Sequence, residues 1–437
     1  MTAPAGPSDF ERRSADWLDV DEAMARILAA ASPLGTEHVH LADAVGRALA
    51  EEVTAGATLP PWDNSAMDGY AVRATDVRGA SRSSPVVLSV VGVVRAGADP
   101  GPELGEQQAV RIMTGAPLPA GADTVVRVED TDGEEHPGNV LIFEEQGSGR
   151  HVRDAGQDMQ EGEVLLVPGH ALTPGAVGVL VSAGRDSVLV HERPTVALLS
   201  TGNELRKTDR YADVRAGRGI PESNGPMLSA MVRQMGGRPI ELGIAADRPE
   251  DLLEHLGRGS DADVLVTIGG ASMGEADLVK RVLDEVGFQQ DFWRVKMRPG
   301  SPISFGWIPR GDRRQPVFSL PGNPSSAFVT FEVFVRPFLL RLAGHKRVLR
   351  RTVTCFAAEA FDAPAPRTYF QRVSIGTGAE AMRVSLVGPQ GSGLVRGLAW
   401  ADGLAIIPAD TRSLREGDPV QVMLLDTGPA AVAFDVG

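Results

Sequence analysis

Three polar, glycine-rich segments carry residue types suited to holding an anion. They are Ser200-Thr201-Gly202-Asn203-Glu204, the run Gly269-Gly270-Ala271-Ser272-Met273-Gly274-Glu275-Ala276-Asp277, and Pro321-Gly322-Asn323-Pro324-Ser325-Ser326. Glycine lets the backbone approach a ligand, and unpaired N–H groups where a helix begins favour negative charge. One such loop is ordinarily just a turn between strand and helix; three within one stretch point to a binding site. None of them is a phosphate loop of the G-x-x-x-x-G-K-[ST] form, and Gly391–Gly397 does not complete G-x-G-x-x-G, which argues against a dinucleotide site. A second signal is Arg294-Val295-Lys296-Met297-Arg298. If Phe292–Arg298 is extended, Arg294, Lys296 and Arg298 share one face, and Pro299-Gly300 halts the strand beside the glycine loops. That arrangement suits an oxyanion or phosphate, against the plainer reading of an edge strand guarded by charge. The third signal is carboxylate. Glu204, Asp247, Glu275 and Asp277 each read singly as helix caps or solvated charges, but beside an anion site they suit a hard cation such as Mg²⁺ bridging to phosphate.

These residues need a scaffold. A helix is expected from Asp19, with Asp19 and Glu22 as a capping box and Val20, Met24, Ile27 and Leu28 on one face; a second short helix is expected over Ala42–Leu49. From about 53 to 150 short strands separated by Gly/Pro/Asp turns (Val86–Val94, Ala109–Met113, Thr124–Val128, Val140–Phe143) read as a small all-β unit. Ala171–Ala183 returns to a helical pattern, so the β unit reads as an insertion in a helical first domain. From Val190 strands and helices alternate: strand Thr195–Leu199, helix Met227–Met235, strand Ile240–Ile244, helix Pro249–Leu256, strand Val264–Ile268, helix Asp277–Val286, strands Phe292–Met297 and Val317–Leu320, and helix Ser325–Leu342. Apolar strands alternating with helices imply a parallel sheet covered on both faces, with ligands at the strands' carboxyl ends. The last stretch, Thr352–Ala357, Tyr369–Ile375, Met382–Leu386, Leu404–Ile407 and Val420–Leu425, reads as a small barrel.

Composition narrows the choices. The chain has 437 residues and a formal charge of −14, so general nucleic-acid or anionic-membrane binding is disfavoured. Gly and Pro make up nearly a fifth of it, while 43% of residues are hydrophobic, so the excess punctuates folded elements. A single cysteine, Cys355, excludes an intrachain disulfide and a thiolate metal cluster. No run of about 18 apolar residues occurs and the first residues lack an apolar signal core, so a cytoplasmic location without membrane association is expected. H-E-x-x-H is absent, and His38-x-His40 reads as a surface pair. Only four cations are lysine, so arginine is expected where a related chain carries lysine.

Together with these loops, Trp62-Asp63-Asn64-Ser65-Ala66-Met67-Asp68-Gly69-Tyr70-Ala71 and Arg111-Ile112-Met113-Thr114-Gly115-Ala116-Pro117-Leu118-Pro119-Ala120-Gly121-Ala122-Asp123 make the chain resemble the molybdopterin molybdenumtransferase family, which includes the E domain of gephyrin. The resemblance spans about residues 15–425. It implies a helical N-terminal domain (15–52 and 150–190), an inserted β domain (53–149), a molybdopterin-binding α/β domain (191–345) and a C-terminal β-barrel (346–432). It also implies a homodimer with a cleft shared between subunits, Asp63 coming from the partner's side, and exchange of substrate with an upstream adenylyltransferase. The implied reaction takes adenylylated molybdopterin and molybdate, releases AMP and leaves molybdenum on the dithiolene, with Mg²⁺ assisting. Carried over by position, Asp63, Glu204, Asp247 and Asp277 would be catalytic. Thr114, Ser272, Arg294, Lys296, Arg298, Pro321, Pro324 and Ser392 would bind substrate, and Glu204, Asp247 and Asp277 would hold the metal. Arg294 and Arg298 stand where the family often has lysine, Asn203 replaces a common aspartate, and Glu222-Ser223-Asn224 fits the family's polar turn loosely. Two other classes stay open at this point: adenylylation of molybdopterin, against which residues 1–185 argue, and a non-catalytic scaffold.

Overall fold

In the computed structural model, residues 17–269, 276–377 and 381–425 are described. They form two compact units. One comprises the chain up to Ala50, Pro168–Thr173 and everything from Leu189; the other is Glu51–Val167 with Pro174–Val188.

Helix α1 (Val20–Ala29) forms as its apolar spacing requires, and Ala23 and Ile27 are fully buried in the first unit's main core. Asp19 precedes it but makes no side-chain cap. Its carboxylate lies 3.6 Å from Lys296 Nζ instead. The helix expected over 42–49 is only a single 3-10 turn at Leu41–Asp43, with Gly46 at φ +82. A glycine in that conformation ends a helix.

The second unit is built on a five-stranded sheet of β1 (Gly69–Val72), β2 (Val86–Val94), β3 (Gln108–Ile112), β4 (Thr124–Arg127) and β5 (Asn139–Ile142), in the order β4-β1-β3-β2-β5. Alternation along the strands fills two cores. Tyr70, Leu88, Val126 and Val140 share one, and Ala71, Val110, Ile112 and Val125 the other. Strand β1 lies inside the Trp62–Ala71 motif, where turn-rich composition hid it. Gly69 opens it because a Cβ there would lie 1.9 Å from Val126 O. The unit also holds α2 (Pro174–Ser182), with Ala176 and Leu180 buried. Between them, 15–52 and 150–190 contain two α-helices and several short strands, so the expected helical character is only partial.

In the first unit, β6 (Thr195–Thr201), α3 (Asn224–Gln234), β7 (Arg238–Ala245), α4 (Pro249–Arg258), β8 (Val264–Ile268), α5 (Ala276–Glu285), β9 (Gln289–Trp293), a two-residue β10 (Met297–Arg298), β11 (Ser304–Arg310) and β12 (Arg313–Leu320) follow in sequence. The main sheet has the order β7-β6-β8-β12-β11-β9. Its first four strands are parallel, as expected, but β11 runs antiparallel to both β12 and β9, so the sheet is mixed. Strand β11, which contains Gly306 and Pro309, has no clean apolar period. Val196 and Leu198 of β6 face α3 and the helical segment after β12, while Ala197 and Leu199 face α4 and α5. Both faces are therefore covered. The helix expected over 325–342 is α6 (Pro324–Thr330), a π-helical stretch at Phe331–Val335, and α7 (Arg336–Leu342). Pro337 has no N–H to offer the regular ladder, which accounts for the break. The apolar side chains on this segment decide its place: Phe331, Phe334 and Phe338 are fully buried, each contributing about 1.5–3 kcal/mol of burial.

The chain ends in β13 (Thr352–Ala357), β14 (Thr368–Thr377), β15 (Met382–Leu386), β16 (Gly403–Ile407) and β17 (Pro419–Leu424). Paired as β14-β15-β13-β17-β16 and back to β14, they close the expected barrel. Cys355 points into its core, where burial pushes the thiol pKa up. It is chemically quiet there.

Candidate functional site

Register places the key loops at one rim. Leu199, Thr267, Ser319, Ser304 and Trp293 are successive cross-strand partners from β6 through β8, β12 and β11 to β9. The residues that leave this line, Ser200–Glu204, Gly269, Pro321–Pro324 and Arg294, therefore emerge at the same edge of the sheet. Strand spacing of about 4.8 Å puts the β9 exit some 10 Å from that of β12.

Specific bonds draw the loops together. Asn203 N donates to Asp247 Oδ2 (3.1 Å) and Asp247 N donates to Asn203 Oδ1 (3.2 Å), tying the loop after β6 to the loop after β7. Gly202, at φ +140, lets the chain fold back until a Cβ would lie 2.6 Å from Glu204's carboxylate oxygens. A Cβ on Gly269 would lie 2.8 Å from Thr201 O, and one on Gly322 would lie 3.4 Å from Gly269 Cα, so the three loops touch through bare backbone. Asn224 Nδ2 donates to Gly322 O (2.6 Å). The barrel's 388–395 loop completes the rim: Ser325 N donates to Ser392 O (2.9 Å), Asn323 Nδ2 bonds Ser392 Oγ (3.2 Å), and Ser325 Oγ donates to Leu394 O (2.7 Å).

Glu204, Asp247, Pro321, Pro324 and Ser392 are thus brought to one place. The three cations are not. Residues 292–298 are not one strand, because Arg294 sits at φ +75 and breaks it, and the alternation assumed from sequence fails there. Arg294 stays at the rim with its guanidinium 4.0 Å above the Trp293 ring and 5.1 Å from that of Trp17. Burial lowers its pKa, yet an arginine in such a place stays charged. Lys296 turns toward Asp19, and Arg298, in β10, pairs beside β14 with its guanidinium 6.0 Å from the Tyr369 ring. The backbone of Asp277 lies in the first turn of α5; Ser272 and Glu275 fall outside the described residues.

Asp63 and Thr114 belong to the second unit. There Asp63 Oδ1 accepts from Ala155 N (2.8 Å), and Thr114 donates twice to Asp68 Oδ1, from N (2.7 Å) and Oγ1 (2.9 Å). Those two bonds hold Asp68's carboxyl below its ordinary pKa. The two quoted motifs are therefore one structure, joined also by Ser65 N to Ala116 O.

One residue escaped the sequence reading. Arg372, 1% exposed in β14, donates from Nη1 to Ser325 Oγ (2.6 Å) and from Nη2 to Pro389 O (2.7 Å), and its Nε has no protein partner. Burial lowers its pKa. A cation inside the apolar run Tyr369–Ile375 was the available signal.

No group of three or more His, Cys, Asp or Glu able to hold a metal occurs among the described residues. Asp247 Oδ1 and both carboxylate oxygens of Glu204 have no protein hydrogen bond among them either. Two such carboxylates fit a hydrated Mg²⁺, which takes one or two protein oxygens and leaves the remainder to water and phosphate. Among the described residues no helix is long and apolar enough to cross a membrane.

A glycine-lined crevice at the carboxyl rim of an α/β sheet, closed by a small barrel, defines a class of small-molecule-binding α/β protein. Family models sharpen it. Residues 18–184 match the MoeA N-terminal region (domain I and II), 197–341 a probable molybdopterin binding domain, and 356–425 the MoeA C-terminal region (domain IV). The chain is 35% identical over 416 residues to a molybdopterin molybdenumtransferase of Bacillus subtilis, covering 93% of this chain and 94% of that protein. It is 36% identical over 390 residues to molybdopterin molybdenumtransferase 2 of Mycobacterium tuberculosis, covering 88% and 94%. The crystal structure of the molybdopterin biosynthesis moeA protein from Pyrococcus horikoshii superposes with a TM-score of 0.79 at 27% identity, covering 94% of this chain and all of that one. The chain belongs to the molybdopterin molybdenumtransferase family.

Proposed function

We propose that this protein inserts molybdenum into adenylylated molybdopterin, taking molybdate and releasing AMP. The observation that carries the reading is the convergence of Glu204, Asp247, Pro321, Pro324 and Ser392 at one rim, with carboxylate oxygens left free of the fold. The glycine-lined backbone at 202, 269 and 322 admits a bulky anionic substrate without a side chain in the way. Arg294, with its guanidinium over the Trp293 ring, and Arg372, bonded to Ser325, supply positive charge for phosphate or molybdate oxygens. Asp247, oriented by Asn203, takes a proton from a water that attacks the adenylyl phosphorus. The P–O bond to the molybdopterin phosphate breaks, AMP carries off the water's oxygen and the phosphate stays on the molybdopterin, whose two dithiolene thiols bond molybdenum as their protons and the molybdate oxygens they displace leave as water. Mg²⁺, when held by Glu204 and Asp247 with Asp277, supplies charge neutralisation at that phosphate. The reading includes a homodimer whose partner contributes Asp63 to the cleft, the four-part domain division, a cytoplasmic location and delivery of substrate by an upstream adenylyltransferase.

The test is incubation of purified protein with adenylylated molybdopterin, Mg²⁺ and molybdate, assayed for AMP and for active cofactor. The wild type should release AMP only when molybdate is present. Asp277→Asn should still bind the nucleotide but lose that release. Release undiminished in this variant removes Asp277's role, and no molybdate dependence in the wild type removes the function.

A further inference from the structure

Arg294 leaves β9 in a backbone conformation that its residue type rarely adopts. At φ +75 it is the one non-glycine residue with positive φ among the described residues of the first unit. A strained backbone persists only where its surroundings over-determine it. Here it is fixed on both sides. Arg294 N donates to Ile303 O (2.8 Å), and its carbonyl accepts from Leu18 N (3.4 Å). Lys296 N donates to Leu18 O (2.8 Å), and Leu18 bridges in parallel to Val295. The residues before α1 are thereby laid alongside 294–296, which brings Trp17 to Arg294.

The side chain keeps its charge without a polar partner. Its guanidinium carbon lies 4.0 Å from the centroid of Trp293 and 5.1 Å from that of Trp17. Both are inside the roughly 6 Å reach of a cation–π contact. It makes no side-chain hydrogen bond and has no carboxylate oxygen within 4.0 Å among the described residues, so all its N–H donors stay open. Lys296, two residues on, shows the opposite outcome, because Asp19 answers its charge at 3.6 Å. A carboxylate both neutralises a cation and occupies its donors. An indole ring holds the cation and does neither.

We propose that Trp17 and Trp293 are positioning residues, which hold the Arg294 guanidinium charged and unpaired at the β9 end of the rim so that it takes a tetrahedral oxyanion there. The inference rests on the function given above and adds to it the two rings and, through Trp17, the residues that precede α1. A tetrahedral dianion, whether free molybdate or a phosphate, presents two oxygens to the guanidinium fork. Burial has already taken part of the water from this cation, so it gives up less on meeting such an anion. Its place in the strand order also matters. Glu204 and Asp247 open from β6 and β7, whereas Arg294 leaves β9 at the far edge of the sheet, away from the carboxylates that would repel the anion.

The experiment titrates molybdate and, separately, AMP into the full-length protein by calorimetry. Trp17→Ala and Arg294→Met should weaken binding of the same anion by about tenfold, the scale of a partly desolvated cation–π contact, and the anion that responds is the one Arg294 takes. Trp17→Phe keeps a ring over the cation and should lose no more than about threefold. The double variant Trp17→Ala/Arg294→Met should bind no worse than Arg294→Met alone, since Trp17 acts through Arg294. A ring that merely packs the N-terminal residues would give additive losses. Unfolding midpoints are measured throughout, and if that of Trp17→Ala falls, Trp293→Leu takes its place in the same cycle. No binding of either anion by the wild type, unchanged affinity in Trp17→Ala, additive losses in the double variant, or a Trp17→Phe protein as weak as Trp17→Ala overturns the assignment. Molybdate-dependent AMP release is followed on the same preparations. Release with binding indifferent to Trp17 removes the role of the rings and leaves the function standing; binding that depends on Trp17 without release does the reverse.

Discussion

The Trp62–Ala71 motif and the sheet rim are equally rich in Gly, Asp, Asn and Ser, yet their polar groups end differently. In the motif the fold ties down one oxygen of each carboxylate. Asp63 takes Ala155 N, Asp68 takes both donors of Thr114, and Ser65 Oγ donates to Met67 O. At the rim, Glu204 makes no protein hydrogen bond among the described residues, and Asp247 and Glu222 each use one oxygen and leave the other. Both clusters keep open carboxylate oxygens, and the rim differs in Glu204, whose two oxygens no group among the described residues bonds. Motif density does not reveal the open Glu204 carboxylate, whereas the hydrogen-bond inventory does.

Substitutions can break this contrast. The largest effect should come from Gly69→Ala. Its Cβ would meet Val126 O at 1.9 Å, so the sheet must open at a cost of about 3 kcal/mol, measurable by denaturant unfolding. A folded, wild-type-stable Gly69→Ala would remove the structural reading of the motif. The buried interior should respond next. His345, 7% exposed beside Arg336 and His191, has its pKa lowered to about 4, chiefly by burial. Its folded pKa lies below the unfolded value of about 6.5, so its neutral form is favoured by folding and stability falls as pH drops through 6.5 toward 4. The loss by pH 4 is up to about 3 kcal/mol. His345→Gln should flatten that part of the pH–stability curve; an unchanged slope would assign it to other groups.

At the rim the expected signature reverses. Asp247→Asn should leave the unfolding midpoint unchanged and cut molybdate-dependent AMP release by about 10²-fold, a typical general-base effect. Asn203→Ala should lower it by a smaller factor, about tenfold, by loosening Asp247. Asn203→Asp keeps an acceptor for Asp247 N and should retain most of the activity. An Asn203→Ala protein that is destabilised while its folded fraction stays fully active would place Asn203 with the structural residues.

Some of this was legible before any coordinates. Val264–Ile268 and Thr195–Leu199 are apolar runs buried on both faces, and composition alone marks them as interior strands of a covered sheet. The glycine-rich loops follow from their position after such strands. The segment 292–298 was misread because alternation assumes one uninterrupted strand, and Arg294 at φ +75 breaks it. Strand β1 was missed because a motif dense in turn formers still pairs when Gly69 permits close approach. Arg372 was missed because a lone cation in a strand gives no hint that Ser325, 47 residues earlier, will lie against it.

By itself the sequence determined the family, the four parallel strands of the α/β region and the helices between them, the terminal barrel and where the glycine loops fall, but not the antiparallel strand Ser304–Arg310. These depend on local periodicity and on residue types that suit one backbone conformation. Only the tertiary structure decided which carboxylate oxygens stay free and which cation remains at the rim. Those outcomes turn on partners tens of residues apart, brought together by strand register, and no local pattern encodes them.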